Sequence, residues 1–124
     1  MIMSDLQGQI WMDGSFCDWK KAKIHILTHT MHYGTGVFEG VRAYETETGP
    51  AIFRLKDHTD RLFESADLVG MNIPFTKDQL MQAQCDCVVK NNLKNAYIRP
   101  LCFYGSEGMG LRADNLKVHC AVAA

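Results

Sequence analysis

The sequence contains no apolar run near the ~20 residues that a membrane-crossing helix requires, and its start, "MIMSDLQGQIWMDG", has no basic segment leading into an apolar one. It therefore offers no candidate helical span and no export signal, and a cytoplasmic location is the expectation. Charge of one sign is also missing: 13 Lys plus Arg stand against 14 Asp plus Glu, with the basic residues scattered along the chain. That removes the electrostatic footprint of a nucleic-acid or anionic-membrane binder. There is no internal repeat and no low-complexity tract, and at 124 residues with 47% apolar content the chain suits one domain with a packed core.

The five cysteines are an odd number, which with no export signal reads as reduced thiols. Cys85 and Cys87 form "CDC" inside a helical pattern, where residues two apart do not face each other, so ordinary packed thiols are the better reading than a metal site. "HILTHTMH" sets His25, His29 and His32 at spacings that would share a helix face, as metal ligands do. The β-branched residues among them, the missing cap and the lack of a nearby carboxylate favour polar packing over metal.

What is present is an ordered series of element signals. "IWMDGSFCDW" reads as a hairpin turning at Asp13-Gly14. "VFEGVRAYE" and "AIFRL" read as two strands joined through "TETGP". A helix is predicted from about Asp57 to Val69, stopped by Gly70. A second runs from an N-cap at Thr76, with Gln79 completing a capping box, to about Asn92. "AYIRPLCFYG" and "KVHCAVAA" are the last strands. The order predicts an α+β fold, a mostly antiparallel sheet with two helices on one face.

Four stretches carry candidate chemistry. "HYGTGVFEG" places three glycines between Gly34 and Gly40, an entropic cost that implies a turn or a close approach to the backbone. In "YIRP" a strand would point Tyr97 and Arg99 to the same face, and Arg99 lies in an otherwise apolar run. It either pairs with a structural carboxylate or, with the phenol beside it, forms a site for a carboxylate ligand. "YGSEGMGL" matches no phosphate-loop spacing; it is a flexible connection, or a loop that lies against a ligand or a second subunit. Arg61, with Asp57 and Glu64 near it in sequence, reads on its own as a surface arginine.

Taken together, "HYGTGVFEGVRAY", "FRLKDHTDRLFESA", "KNNLKNAYIRPL" and "GMGL", in that order, resemble the branched-chain amino acid aminotransferases, which are fold-type IV pyridoxal-phosphate enzymes. The resemblance covers nearly the whole chain. It implies that residues 1–124 are the N-terminal small domain of such an enzyme, and that a C-terminal domain, absent from this chain, carries the lysine that binds pyridoxal phosphate. It implies that Phe38 lines the apolar pocket, Tyr97 holds the substrate carboxylate, Arg99 serves the second carboxylate of glutamate and Arg61 holds the cofactor phosphate. Tyr33 and the loop ending at Leu111 would reach the neighbouring subunit's site in a homo-oligomer. The implied reaction moves the amino group of Leu, Ile or Val to 2-oxoglutarate, with the isolated chain inactive. The apolar face meant for the missing domain would be exposed or covered by another copy. A D-amino acid aminotransferase, an aminodeoxychorismate lyase and a non-catalytic module reusing the small domain are the alternatives.

Overall fold

Asp13 and Gly14 both have positive φ, 50° and 101°, the backbone that a two-residue hairpin turn demands. In the computed structural model, which describes residues 1–124, they join β1 (Gln9–Met12) to β2 (Ser15–Asp18). A short helix, α1 (His29–Tyr33), comes next and ends at Gly34, whose φ of 69° is left-handed. That conformation costs glycine nothing, so the first glycine of "HYGTGVFEG" is a helix stop.

The stretch predicted as a single strand from Val37 is two: β3 (Gly36–Phe38) and β4 (Val41–Thr46). Both run antiparallel along the same strand, β6 (Ala96–Tyr104), and in one register, Phe38 opposite Leu101 and Val41 opposite Ile98. Continuing that register sets Glu39 against Pro100. The Glu39 amide donates to the Pro100 carbonyl at 3.1 Å, but proline has no N–H to return, so the ladder is cut there.

The turn after β4 falls at Glu47 and Thr48, and β5 (Gly49–Ile52) therefore begins and ends earlier than "AIFRL" implies. Phe53 and Arg54 already lead into α2 (Leu55–Leu68), two residues ahead of the predicted start. Its end is close to the prediction, with Gly70 left-handed at φ 72°. α3 (Lys77–Lys90) starts as read: Thr76 accepts from the Gln79 amide at 3.1 Å, and the Gln79 side chain accepts from the Thr76 amide at 2.8 Å. Such a cap is worth about 1 kcal/mol. The helix stops at Lys90, short of Asn92, and Asn92 turns left-handed at φ 52°.

β7 (Val118–Ala123) closes the sheet, whose order is β2-β1-β7-β6-β4-β5 with β3 also on β6; every pairing is antiparallel. The predicted α+β architecture is the observed one. Alternation along the strands separates two faces. Trp11, Val37, Val41, Ile98, Cys102, Cys120 and Val122 turn to α2 and α3 and form the core with Leu62, Ala66, Leu80, Ala83, Cys87 and Val88. Burying each large side chain of this set contributes about 1.5–3 kcal/mol. Buried Gln84 donates to Thr59 Oγ1 at 3.2 Å and so fastens α3 to α2. Asp60 of α2 receives both Lys56 (2.7 Å) and Lys77 (3.1 Å), so the carboxylate partner of these lysines is Asp60 rather than their sequence neighbours Asp57 and Asp78.

All five cysteines are free thiols. Cys102 and Cys120 face each other across β6 and β7 with sulfurs 2.9 Å apart, and this contact together with burial pushes the Cys120 thiol far up. Of the "CDC" pair, Cys87 is buried and donates to the Val122 carbonyl, whereas Cys85 is only partly covered. No helix is long and apolar enough to cross a membrane.

Candidate active site

The other face of the sheet carries no helix pair. β6 presents Tyr97, Arg99, Leu101 and Phe103 there, alternating with the core residues, and β3 adds Phe38 opposite Leu101. Tyr97, Arg99 and Phe38 meet. The Arg99 guanidinium donates to the Tyr97 hydroxyl at 2.7 Å and lies over the Phe38 ring, 4.2 Å from its centroid. Arg42, opposite Tyr97 in β4, lies 5.9 Å from the phenol ring. Phe38 and Tyr97 remain about half exposed, at 55% and 47%. Arg99 has no carboxylate partner. The phenol is its sole hydrogen-bond acceptor, and its remaining donors are free for a ligand.

Gly40 makes this possible. A Cβ at position 40 would stand 2.6 Å from the Tyr97 hydroxyl. Gly36 is equally constrained, since a Cβ there would stand 2.7 Å from the Thr30 methyl of α1. Two glycines of the run thus answer to close approaches by side chains of their own fold, and the third to a turn.

Beside Gly40, Glu39 points to the opposite side. It is 5% exposed and accepts two hydrogen bonds from Arg61 (2.9 and 2.8 Å) and one from His58 Nδ1 (2.7 Å). Burial acts to raise the Glu39 carboxyl, but the bonds from Arg61 and His58 outweigh it and hold it below the ordinary range. The isolated-surface picture of Arg61 therefore needs correction. Its partner is Glu39, 22 residues away, while Asp57 is taken by Arg54 at 2.8 Å. The rest of the guanidinium faces a polar hollow of about 390 Å³ lined by Arg54, Asp57, His58, Asp60 and Glu64.

Tyr33 and Leu111 stand elsewhere on the molecule, 45% and 75% exposed. They are joined through His29, whose ring packs 4.6 Å from Tyr33 and whose Nε2 is 3.1 Å from the Leu111 carbonyl. The other two histidines of the "HILTHTMH" group bond to backbone: His25 Nδ1 accepts from Leu27, and His32 Nε2 donates to the Ile26 carbonyl. The three rings form no metal-binding group. At the other end of the 105–117 loop, His119 bridges Asp13 and Glu107, 2.6 Å from each. An apolar groove of about 370 Å³, lined by Ile10, Met12, Ile24, Met31, Leu101 and Ala121, continues the open face.

Reading the sequence missed Glu39 and His58, and did not foresee which group His29 would bond. The one signal for Glu39 was a carboxylate next to a glycine inside an otherwise mostly apolar strand pattern.

Residues 36–124 match the Amino-transferase class IV family model, and the chain belongs to that family. Within it the similarity is to branched-chain aminotransferases. The chain is 59% identical to the branched-chain-amino-acid aminotransferase of Pseudomonas aeruginosa over all 124 residues, which is 40% of that relative's length. It is 46% identical to the Escherichia coli K12 enzyme over 82% of this chain and 33% of the relative. The solved E. coli structure superimposes with a TM-score of 0.91 at 40% identity, covering 95% of this chain and 39% of that one. The branched-chain amino acid aminotransferase of Thermoproteus uzoniensis, solved with norvaline, gives 0.89 at 36% identity over 94% of this chain and 40% of that one. The match thus spans between a third and two fifths of the length of these relatives.

Proposed function

We propose that this chain is the N-terminal small domain of a branched-chain L-amino acid aminotransferase. With pyridoxal phosphate, the enzyme passes the amino group of Leu, Ile or Val to 2-oxoglutarate as a cytoplasmic homo-oligomer. The observation that carries the reading is the triad of Phe38, Tyr97 and Arg99: an exposed phenyl ring, a phenol and a guanidinium with no carboxylate of its own. The 59% identical relative, named for this activity, supports it.

The arrangement suits two kinds of substrate in turn. Phe38 gives an aliphatic side chain an apolar surface. Arg99, lying on that ring, gives a second carboxylate its charge-assisted partner, the added feature that glutamate brings. The Tyr97 hydroxyl accepts from Arg99 and keeps its own proton free to donate to a substrate carboxylate oxygen.

Arg61 fits one contact to the cofactor phosphate. Glu39 uses Nε and one terminal nitrogen, fixing the plane of the guanidinium and leaving donors facing the hollow. Of the acidic groups on its rim, Asp57 and Asp60 are already neutralised by Arg54, Lys56 and Lys77. Pyridoxal phosphate, when bound, supplies the electron sink for the bond changes at the amino-bearing carbon. The lysine and the other phosphate contacts fall to the C-terminal domain. Phe38 and Glu39 are consecutive, so the phenyl ring of the substrate triad and the carboxylate that holds the phosphate arm leave the backbone at neighbouring positions, on opposite sides.

The reading is tested by assaying the full-length protein with L-leucine and D-alanine side by side, each with 2-oxoglutarate. Preference for L-leucine is expected. Preference for D-alanine assigns the domain to a sister enzyme of the family.

A further inference from the structure

His29 is 3% exposed and lies at the start of α1. Its ring is wedged between two tyrosines, tilted against Tyr33 at 4.6 Å and edge-on to Tyr104 at 5.8 Å. Nε2 is 3.1 Å from the Leu111 carbonyl. A carbonyl only accepts, so Nε2 carries the proton. Nδ1 is buried and has no partner. The His29 amide also donates to the Gly105 carbonyl at 2.9 Å, so one residue holds the 105–117 loop at two points. α1 itself is fixed to the sheet, where Thr30 Oγ1 accepts from the Tyr104 amide at 2.9 Å.

One buried side chain therefore ties together two well-exposed residues from distant parts of the sequence, Tyr33 and Leu111. We infer that His29 is a positioning residue: it locks Tyr33 and the tip of the loop into one preformed edge, which in the homo-oligomer of the proposed enzyme meets the aliphatic part of the substrate in the neighbouring subunit's site, and so sets affinity for leucine without touching the reacting atoms. The inference rests on the proposed function for what that edge contacts, but the lock itself does not.

The test uses the full-length holoenzyme and two variants. His29→Phe keeps a flat ring between the tyrosines and removes the donor. His29→Gln keeps a donor at similar reach. Hydrogen exchange over 106–116 and steady-state kinetics with L-leucine are measured, with cofactor retention as the control. In His29→Phe, exchange of the loop is expected to quicken and the leucine KM to rise by about two- to tenfold, the worth of one hydrogen bond. The expectation for kcat and cofactor retention is a value near that of the wild type, and His29→Gln should recover most of the loss. Unchanged loop exchange in His29→Phe overturns the lock. Faster exchange with an unchanged leucine KM overturns the positioning role, as does a parallel fall of kcat, KM and cofactor retention. A His29→Gln variant as impaired as His29→Phe also overturns it. Wild-type protein that does not transaminate leucine overturns the enzyme reading instead, and loop exchange then decides the lock by itself.

Discussion

Neighbouring residues of β6 live in different worlds. Ile98 is fully buried under the helices, while Tyr97 and Arg99, one position to either side, face outward with polar groups unspent. The covered face is apolar, closely packed and crossed by few polar contacts. The open face keeps a guanidinium, a phenol and an exposed phenyl ring in contact with one another. On the proposed function, the two-residue period of a strand separates stability from recognition, and substitutions on the two faces should have opposite signatures.

The largest contrast is expected between Leu62→Ala and Phe38→Ala in the full-length protein. Leu62 is fully buried in the core, so its truncation should cost about 2–5 kcal/mol in chemical denaturation. Phe38 is 55% exposed; its truncation should leave the denaturation midpoint nearly in place and raise the leucine KM. Comparable destabilisation by both would erase the distinction between the faces.

A sharper contrast lies within the open face. Arg99→Ala should impair the glutamate half-reaction by about 1.5–3 kcal/mol, the worth of a charge-assisted bond, and the leucine half-reaction much less. Single-turnover measurement of each half-reaction reads this directly. Equal losses would make Arg99 a structural group of the sheet.

The smallest effect concerns His119, beside Phe103 on the open face, where it bridges Asp13 and Glu107. Burial acts to lower the His119 pKa, but its bonds to the two carboxylates raise it above the ordinary 6.5. Its stabilising share is therefore complete below 6.5 and lost as pH rises through the elevated folded value. For Glu107 burial acts to raise the carboxyl, yet the bond from His119 outweighs it and takes the carboxyl below 4.5. That share is present above 4.5 and lost as pH falls through the lowered folded value. Protection of the 105–117 loop, taken as exchange relative to the intrinsic rate at each pH, should be greatest between these limits, and His119→Asn should flatten its pH dependence.

Features set by residues close in sequence were legible from the chain alone. Asp13-Gly14, the Thr76–Gln79 box and the outward phase of Tyr97 and Arg99 each follow from chemistry within a few positions. The break between β3 and β4 was not legible, because its cause is Pro100 on a strand some sixty residues later. α1 has no side-chain cap and is only five residues long; Thr30 bonding to β6 supports it, which no propensity reveals. Arg61 was placed among its sequence neighbours, although its partner comes from the strand break. His29 was read as a histidine for polar packing or hydrogen bonding, but its partner Leu111 was not legible, because it depends on the path of a loop that folds back from 82 positions away.

Pro100 has one more consequence, for how the chain finds its alignment. β6 lies between β7 on one side and β3 with β4 on the other. A slip of two residues along it would preserve inward and outward phase, so the apolar pattern alone discriminates weakly against it. Such a slip moves the proline away from the gap at Glu39 and Gly40 and sets it against a residue inside β3 or β4, whose carbonyl would then be buried without a donor. That omission costs about 1–3 kcal/mol. By lacking one hydrogen atom at one place, the strand rejects the near-miss pairings that its side chains would accept.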